Sequence, residues 1–324
     1  MNLHRTAKLV AALMVLSAPS LADEIKPAWS GINEELFQTF IVMEGLRELG
    51  YQVADVSQAQ VQLAHVAVGN GDLDFYASHW EPLHEAFWRE AGGDEKLQRI
   101  GLLTQNSLQG YLIDKKTADA TGIKYLEDLK DPEKAKLFDV DGNGKADLYG
   151  CEPGWGCERV IEHQLDVYGL RDTVEHKQGG YFAIIPDAIE RIKEGKPTLY
   201  YTWTPLWVSA VLRPGKEVQW LNVHKTELPD GQTGNTEVAG LGNLGFPVND
   251  QMVIANTHFL AENPSAKKFF ELFKIPIEDI NAENLLINQG ENSEDAIKGH
   301  VKAWIADHRK QWDGWIAEAK KATS

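Results

Sequence analysis

Beyond its first 22 residues, the 324-residue sequence contains no apolar run approaching the ~20 residues that are needed to cross a bilayer. We therefore expect the mature chain to be soluble. Basic residues are also scarce, because 32 Lys and Arg face 48 Asp and Glu, and the formal net charge is −16. So acidic a chain is a poor partner for nucleic acid or an anionic membrane surface, and we expect neither.

Recognisable catalytic motifs are missing as well. The sequence has no G-x-S-x-G, H-E-x-x-H or phosphate-loop pattern. Cys157 and His163 fall on nearly opposite sides of a predicted helix, which is poor geometry for a thiolate–imidazolium pair. Together with Cys151 they also lack the spacing of a zinc site. These absences favour a binding protein without a cofactor over an enzyme.

Residues 1–22 have the pattern of a cleaved signal peptide. Arg5 and Lys8 precede the short apolar stretch LVAALMVL, and the small residues of APSLA precede Asp23. An exported chain folds in an oxidising compartment, where two cysteines as close as Cys151 and Cys157 are expected to pair. The ring would fix the shape of the EPGWG segment between them.

The mature chain alternates strand-like and helix-like segments, which predicts an α/β fold with parallel sheets and helices on both faces. Short connections join the segments, and no low-complexity linker separates them. We predict two lobes, the second inserted in the first. The first lobe comprises residues 23–118 and 240–324, and the second comprises residues 119–239.

Two segments share an unusual pattern of tryptophan and proline. In YASHWEPLH and YYTWTPLWV, a predicted strand ends near Trp80 or Trp203, and Pro82 or Pro205 is predicted to begin a helix. Ligands of open α/β sheets bind at the carboxyl ends of strands, so both rings are expected to face a cleft. The alternative is that they cap a core, as we expect for Trp88 and Trp207.

A third tryptophan lies in CEPGWGCE, just before another predicted helix. The first backbone N–H groups of that helix, at Gly156 and Cys157, would be free to bind an anion. His84, in the first turn after Trp80, could donate to the same anion, although it could equally be a surface histidine. Aromatic faces beside an anion site suit a ligand with a quaternary ammonium at one end and a carboxylate at the other.

The segments HWEPLH, CEPGWGCE, DGNGKADLYGC, EGKPTLYYTWTPLWV and INQGENSEDAIKGHV resemble the periplasmic glycine betaine/proline betaine-binding proteins of osmoprotectant ABC importers. The resemblance covers nearly the whole mature chain. It implies a monomeric periplasmic protein of the two-lobe, type II-like binding-protein fold. This protein would close on a betaine in the cleft between the lobes and deliver it to a membrane permease.

The resemblance also implies site residues. Trp80, Trp155 and Trp203 match the family's tryptophan cage, His84 and the backbone of Gly156 and Cys157 match its carboxylate site, and Cys151–Cys157 matches its disulfide. Two alternatives are a binding protein for another quaternary amine, such as choline or carnitine, and a secreted enzyme that acts on a quaternary amine.

Residues 139–150, DVDGNGKADLYG, resemble a calcium-binding loop. Asp139, Asp141, Asn143 and Asp147 occupy ligand positions of such a loop, with Gly144 at the turn. The last ligand position holds Gly150 instead of a bidentate glutamate. The loop is therefore a candidate for a weak structural calcium site, and the alternative is a polar turn closed by its own hydrogen bonds.

Overall fold

The structure is a computed structural model that describes residues 24–322, and the predicted signal peptide lies outside this range. The strands are β1 (Pro27–Trp29), β2 (Ser57–Gln58), β3 (Phe75–Glu81), β4 (Leu97–Ser107), β5 (Gln109–Asp114), β6 (Ala146–Tyr149), β7 (Val174–Lys177), β8 (Leu199–Trp203), β9 (Val218–Trp220), β10 (Glu237–Val238), β11 (Gly242–Asn243) and β12 (Asn249–Asn256).

The α-helices follow the same alternation and then dominate the C-terminal region, as predicted. They are α1 (Leu36–Glu48), α2 (Val61–Asn70), α3 (Glu85–Glu90), α4 (Lys115–Thr121), α5 (Pro132–Ala135), α6 (Gly156–Val167), α7 (Tyr181–Lys193), α8 (Val208–Val211), α9 (Thr257–Glu262), α10 (Pro264–Leu272), α11 (Ile277–Asn288), α12 (Glu294–Asp307) and α13 (Arg309–Lys320). None of the helices within residues 24–322 is long and apolar enough to span a membrane.

The strands form two five-stranded mixed sheets with the same internal plan. The first sheet has the order β2-β1-β3-β12-β4, and the second has the order β7-β6-β8-β5-β9. In each sheet a β-α-β-α-β unit supplies three parallel strands, and a strand arriving from the other lobe runs antiparallel beside the third. The predicted two-lobe α/β fold is therefore confirmed, but the prediction of parallel sheets was wrong, because each sheet also has two antiparallel pairings.

The lobe boundaries differ from the predicted positions near residues 118 and 240. The strand β5 pairs with β8 and β9, so the chain enters the second lobe at Leu108. It leaves only after Phe246, which packs in the core of that lobe. The error has a physical reason: β4 and β5 form one nearly continuous extended run, and side-chain alternation does not say which sheet a strand joins.

The two corners, at Trp80–Pro82 and Trp203–Pro205, also differ from the prediction, because neither proline begins a helix. The Glu81–Pro82 and Thr204–Pro205 peptide bonds are both cis. After Trp80 the chain makes a turn in which the N–H of His84 donates to the Trp80 carbonyl at 2.8 Å, and α3 begins only at Glu85. The two corners do share a backbone arrangement, but the arrangement is a cis-proline turn.

The two lobes touch across the cleft. Trp80 and Leu83, which belong to the first lobe, join the apolar cluster that forms the core of the second. A separate cluster, built from α1, β3 and the C-terminal helices, forms the core of the first lobe. The structure therefore has the lobes in a closed arrangement, which places the carboxyl ends of β3 and β8 opposite each other.

Candidate functional site

A cavity lies between the lobes, at the carboxyl ends of the third strand of each unit. Trp80 is the next-to-last residue of β3, and Trp203 is the last residue of β8. Both side chains are about nine-tenths buried and line this cavity. The matching sequence patterns therefore mark equivalent positions in the two sheets, which explains why the corner occurs twice.

Aromatic rings make up the wall contributed by the second lobe. Trp155 and Trp203 lie nearly perpendicular to each other, with ring centroids 5.6 Å apart. Tyr181 supports Trp203 from behind at 4.7 Å. Trp80 adds a third tryptophan to the cavity lining from the first lobe. Ring faces that converge on one cavity are the arrangement that attracts a quaternary ammonium, which has no N–H to donate.

The start of α6 provides hydrogen-bond donors that suit an anion, whereas the aromatic wall suits a cation. Trp155 occupies the N-cap position, and α6 begins at Gly156. Within residues 24–322, no protein acceptor is paired with the backbone N–H of Gly156 or Cys157. The disulfide between Cys151 and Cys157 is confirmed, and it ties this turn to the end of β6. Free N–H groups at a helix start attract a carboxylate.

His84 lies beside these N–H groups, although it belongs to the first lobe. Its Nδ1 atom accepts a hydrogen bond from the Trp80 backbone N–H at 3.1 Å, so the ring proton of a neutral His84 resides on Nε2. Burial, assisted by the nearby His65 and His79, holds the pKa of His84 well below its usual value. The site therefore presents a neutral imidazole that can donate one hydrogen bond.

Gly156 makes this convergence possible. A Cβ atom at this position would lie 2.8 Å from Leu83 Cγ and 3.1 Å from His84 Cδ2, both across the cleft. Its backbone angles are ordinary helical ones, so close approach is what requires glycine here. Any larger residue would hold the two lobes apart.

Two acidic residues of the site were missed by the sequence analysis. Glu34 and Glu35 line the cavity from the turn before α1, which is the counterpart in the first lobe of the Trp155 turn. Burial raises the pKa of each carboxyl to about 7. The sequence signal that could have identified them is the pair of adjacent acids in INEELFQ, directly before an apolar helix.

Trp207 does more than the packing role predicted for it. The ring is buried, as expected, but its Nε1–H also donates to Glu34 Oε1 at 3.1 Å across the cleft. At the rim, Arg159 of α6 contacts Glu90 of α3 at 3.1 Å. These polar contacts join the lobes on both sides of the cavity.

Amide side chains complete the lining, and several of their polar atoms have no hydrogen-bond partner among residues 24–322. They are Gln38 Oε1, Gln109 Nε2, Gln251 Oε1 and Asn284 Oδ1, all on residues that line the cavity. Gln251 is paired with Trp80 in the first sheet, and Gln109 is paired with Trp203 in the second. Buried amides of this kind are normally satisfied by water or ligand.

The acidic loop at residues 139–147 brings its carboxylates together, but a lysine lies among them. Carboxylate oxygens of Asp139, Asp141 and Asp147 lie within 4.8 Å of one another. Lys177 Nζ contacts Asp141 at 2.6 Å and Asp147 at 2.9 Å. Asp139 accepts hydrogen bonds from the backbone N–H groups of the loop itself. These contacts favour the alternative of a polar turn, with an ammonium where a metal ion would bind.

The disulfide also bears on the enzymatic alternative. Because Cys157 is bonded to Cys151, it has no thiolate to act as a nucleophile. The site consists of aromatic faces and hydrogen-bond donors, which suit binding.

Comparison with known proteins agrees with this geometry. Residues 23–307 match the family described as the substrate binding domain of ABC-type glycine betaine transport systems. The chain belongs to this family. It is 48% identical over 305 residues to the glycine betaine-binding periplasmic protein OusX of Dickeya dadantii, covering 94% of this chain and 92% of the relative. It is 47% identical over 304 residues to the glycine betaine/proline betaine-binding periplasmic protein of Escherichia coli, with the same coverage.

Solved structures show the same fold at much lower identity. A choline-binding protein of an ABC transporter, in complex with choline, superposes with a TM-score of 0.72 at 16% identity, covering 92% of this chain and 96% of that protein. Lactococcal OpuAC in its closed, glycine betaine-bound conformation gives 0.69 at 20% identity, covering 91% and 100%. The two-lobe architecture of the family is thus shared well beyond detectable sequence likeness.

The close contact at Gly156 leads to a first prediction. In Gly156→Ala, the added methyl group should prevent full closure and weaken ligand binding by about tenfold or more, because closure is what completes the site. Isothermal titration with glycine betaine measures the effect. Gly179→Ala is the matched control, since its Cβ would meet only Ile184 at 3.5 Å. Unchanged affinity in Gly156→Ala would contradict the steric argument.

The raised pKa of Glu35 gives a second prediction. The folded-state pKa of about 7 exceeds the ordinary value of 4.5, so the folded protein binds more protons between these values. The contribution of Glu35 to stability is therefore present at low pH and is lost as the pH rises through about 7. Thermal melts of Glu35→Gln should show a smaller loss of melting temperature over this range than wild type. Glu44→Gln, at a half-buried position of α1 where Glu44 pairs with Arg47, should retain the wild-type slope, and parallel curves for all three proteins would refute this assignment.

The lysine in the acidic loop gives a third prediction. Calcium added in millimolar amounts to chelator-treated protein should shift the melting temperature by less than about 1 °C, because Lys177 already compensates the carboxylates. Differential scanning fluorimetry measures the shift, and magnesium provides the comparison ion. A calcium-specific rise of several degrees would show that the loop binds metal in spite of the lysine.

Proposed function

We propose that this protein captures glycine betaine or proline betaine in the periplasm and delivers it to the membrane permease of an ABC importer. One observation carries the proposal: three tryptophans and a set of hydrogen-bond donors from both lobes converge on one closed cleft. Similarity to periplasmic betaine-binding proteins over 94% of the chain supports the same ligand class.

The geometry suggests how a betaine is oriented. The quaternary ammonium packs against Trp80, Trp155 and Trp203, where each ring face contributes roughly 0.5–2 kcal/mol. The carboxylate accepts hydrogen bonds from the backbone of Gly156 and Cys157 and from His84 Nε2–H. The acidic pair at the start of α1 lies on the first-lobe wall, where its negative character favours the ammonium end of the zwitterion.

Closure follows from the division of these groups between the lobes. Trp80 and His84 belong to the first lobe, whereas Trp155, Gly156, Cys157 and Trp203 belong to the second. A ligand that contacts both sets binds the closed form better than the open form, and this difference in affinity is what shifts the equilibrium. The importer can then distinguish the loaded protein by its closed shape.

The remaining features of the proposal concern the cell. Periplasmic relatives and the signal-like residues 1–22 support export. We propose a monomer that acts without a cofactor and without catalysing a reaction. Its osmoprotective role follows from the ligand, since betaines are accumulated against osmotic stress.

The cage yields a fourth prediction. Trp155→Ala and Trp203→Ala should each weaken glycine betaine binding by about tenfold or more, equivalent to ~1.4 kcal/mol, because each removes a ring face from the ammonium. Titration calorimetry measures the loss. The control is Trp315→Phe, a residue that packs on Phe273 in the first lobe, away from the cleft. Losses below about twofold in both cage variants would refute the cage.

Ligand specificity is tested in the same assay with proline betaine, choline and carnitine. Both betaines should bind more tightly than choline, which has no carboxylate for the α6 site. Tighter binding of choline would overturn the assignment of the anion site, and mass-spectrometric detection of a modified ligand would overturn the non-enzymatic role.

A further inference from the structure

A buried chain of hydrogen bonds lies directly behind the candidate carboxylate site. His65 on α2 and His79 on β3 are both completely buried. His65 Nε2 and His79 Nδ1 are 2.9 Å apart. At one end His65 Nδ1 lies 2.7 Å from the Val61 carbonyl, and at the other His79 Nε2 lies 3.0 Å from Glu81 Oε2.

Counting hydrogens shows that this chain has room for one more proton than two neutral imidazoles carry. The Val61 carbonyl can only accept, so His65 Nδ1 carries a hydrogen. One hydrogen lies between His65 and His79. An ionised Glu81 also only accepts, so His79 Nε2 must carry a third hydrogen to complete the chain. Two neutral rings have only two N–H groups, and the complete chain is therefore an imidazole–imidazolium pair.

The surrounding charges favour that third proton. Burial alone would raise the pKa of Glu81, but hydrogen bonds from His79 and Arg99 lower it below its ordinary value. Arg99 Nη1 contacts Glu81 at 2.9 Å and Glu85 at 2.6 Å. Arg89 also lies 3.9 Å from Glu85, so two guanidiniums balance the two carboxylates. What favours the proton is the direct contact of His79 with Glu81, which raises the pKa of His79 against the lowering effects of burial and of Arg99.

The added proton belongs on His79. Burial, together with the neighbouring His79, lowers the pKa of His65 to about 3. Burial also lowers the pKa of His79, but the Glu81 hydrogen bond opposes this effect. In the free protein burial therefore opposes an added proton on either ring. A further negative charge brought close to the pair would raise its pKa and draw a proton in from solvent.

The ligand's carboxylate would be such a charge. The His84 ring, which faces the cavity, has its centroid 5.4 Å from that of His65 and 5.7 Å from that of His79. His84 itself stays neutral, because its Nδ1 accepts from the Trp80 N–H. Only the His84 ring separates the pair from the proposed carboxylate position, so the two charges would be close enough to interact in a poorly solvated interior.

Other groups around the pair are either apolar or committed elsewhere. Tyr76 packs edge-on against His65 at 5.7 Å, and its hydroxyl donates to Glu35. Phe87 packs edge-on against His65 at 5.8 Å. All four ring nitrogens of His65 and His79 already have hydrogen-bond partners, so a metal ion bound by these rings and His84 would have to break at least one of those bonds. Proton binding breaks none of them.

We propose that the His65–His79 pair takes up a proton when a ligand carboxylate binds beside His84, so that the pair selects zwitterions over simple quaternary ammonium cations. This inference rests on the proposed function, because it assumes a carboxylate ligand at His84. The proton comes from the solvent and resides on His79, between His65 and Glu81. Neither histidine touches the ligand. Both act indirectly, by holding a positive charge near the ligand's carboxylate.

The sign of the pH dependence follows from linkage. The pair has a higher pKa with ligand than without it, so ligand affinity is greatest at low pH and falls as the pH rises through the pKa of the bound state. Ionisation of Glu34 and Glu35 near pH 7 acts in the opposite direction on the ammonium, so the profile is measured in Glu34→Gln/Glu35→Gln. In that protein we expect glycine betaine affinity to fall about threefold to tenfold between about pH 6 and pH 8.5. Tetramethylammonium, which lacks a carboxylate, should not show this fall.

The test is titration calorimetry of the full mature protein near neutral pH in two buffers that differ in ionisation enthalpy. The difference in observed heat gives the number of protons taken up. In the Glu34→Gln/Glu35→Gln protein, whose acidic pair cannot titrate, we expect uptake of a substantial fraction of one proton with glycine betaine and none with tetramethylammonium. In the same background His79→Asn, which keeps a polar side chain but cannot titrate, should lose the uptake and flatten the pH profile. There His258→Asn, at an exposed histidine on α9, should change neither.

Two further measurements are needed. One distinguishes the histidine pair from the acidic pair as the site of the proton, and the other applies if His79→Asn does not fold. Uptake that vanishes in Glu34→Gln/Glu35→Gln but persists in the single variant His79→Asn would assign the proton to the acidic pair and overturn the proposal. If His79→Asn does not fold, imidazole nitrogen NMR of wild type decides. The proposal predicts three hydrogen-bearing nitrogens on the pair in the betaine complex, whereas two neutral rings would overturn it. Tight betaine binding without proton uptake would refute this inference alone, whereas failure to bind betaine would refute the proposed function.

Discussion

The close contact of Gly156 with Leu83 and His84 is the constraint on which the site depends. It brings the start of α6, in one lobe, within reach of an imidazole that belongs to the other. Neither lobe alone contains both a complete aromatic enclosure and all the hydrogen-bond donors. In the function we propose, ligand binding and lobe closure are therefore coupled, and the free energy of binding is available to drive closure.

The internal repetition of the fold explains how two lobes come to build one site. Near the end of its third strand each sheet has a tryptophan followed by a cis-proline turn, with Trp80 next to last in β3 and Trp203 last in β8. The first turn of each unit then differs in chemistry: the second lobe presents free N–H groups at Gly156 and Cys157, whereas the first presents Glu34 and Glu35. These turns line one cavity with hydrogen-bond donors from the second lobe and with carboxyls of pKa about 7 from the first, which complements the zwitterion of the proposed function.

Much of this arrangement is visible in the sequence, and the reasons for the exceptions are physical. Alternating periodicity predicts the two-lobe α/β fold, and local signals place Trp80, Trp155 and Trp203 at strand and helix ends. The predicted start of α3 at Pro82 was wrong, because a cis peptide bond before Pro82 has no signature in the local sequence. The contact of His65 with His79 depends on how α2 packs against β3, and the contact of Glu34 with Trp207 depends on lobe closure. Tertiary contacts of this kind have no signature in sequence spacing.

The orientation of the bound ligand tests the central claim most directly. A crystal structure of the protein with glycine betaine should show the ammonium among Trp80, Trp155 and Trp203. It should also show the carboxylate within hydrogen-bonding distance of Gly156 N, Cys157 N and His84 Nε2. A betaine bound in the reverse orientation, or outside the interlobe cleft, would contradict the account.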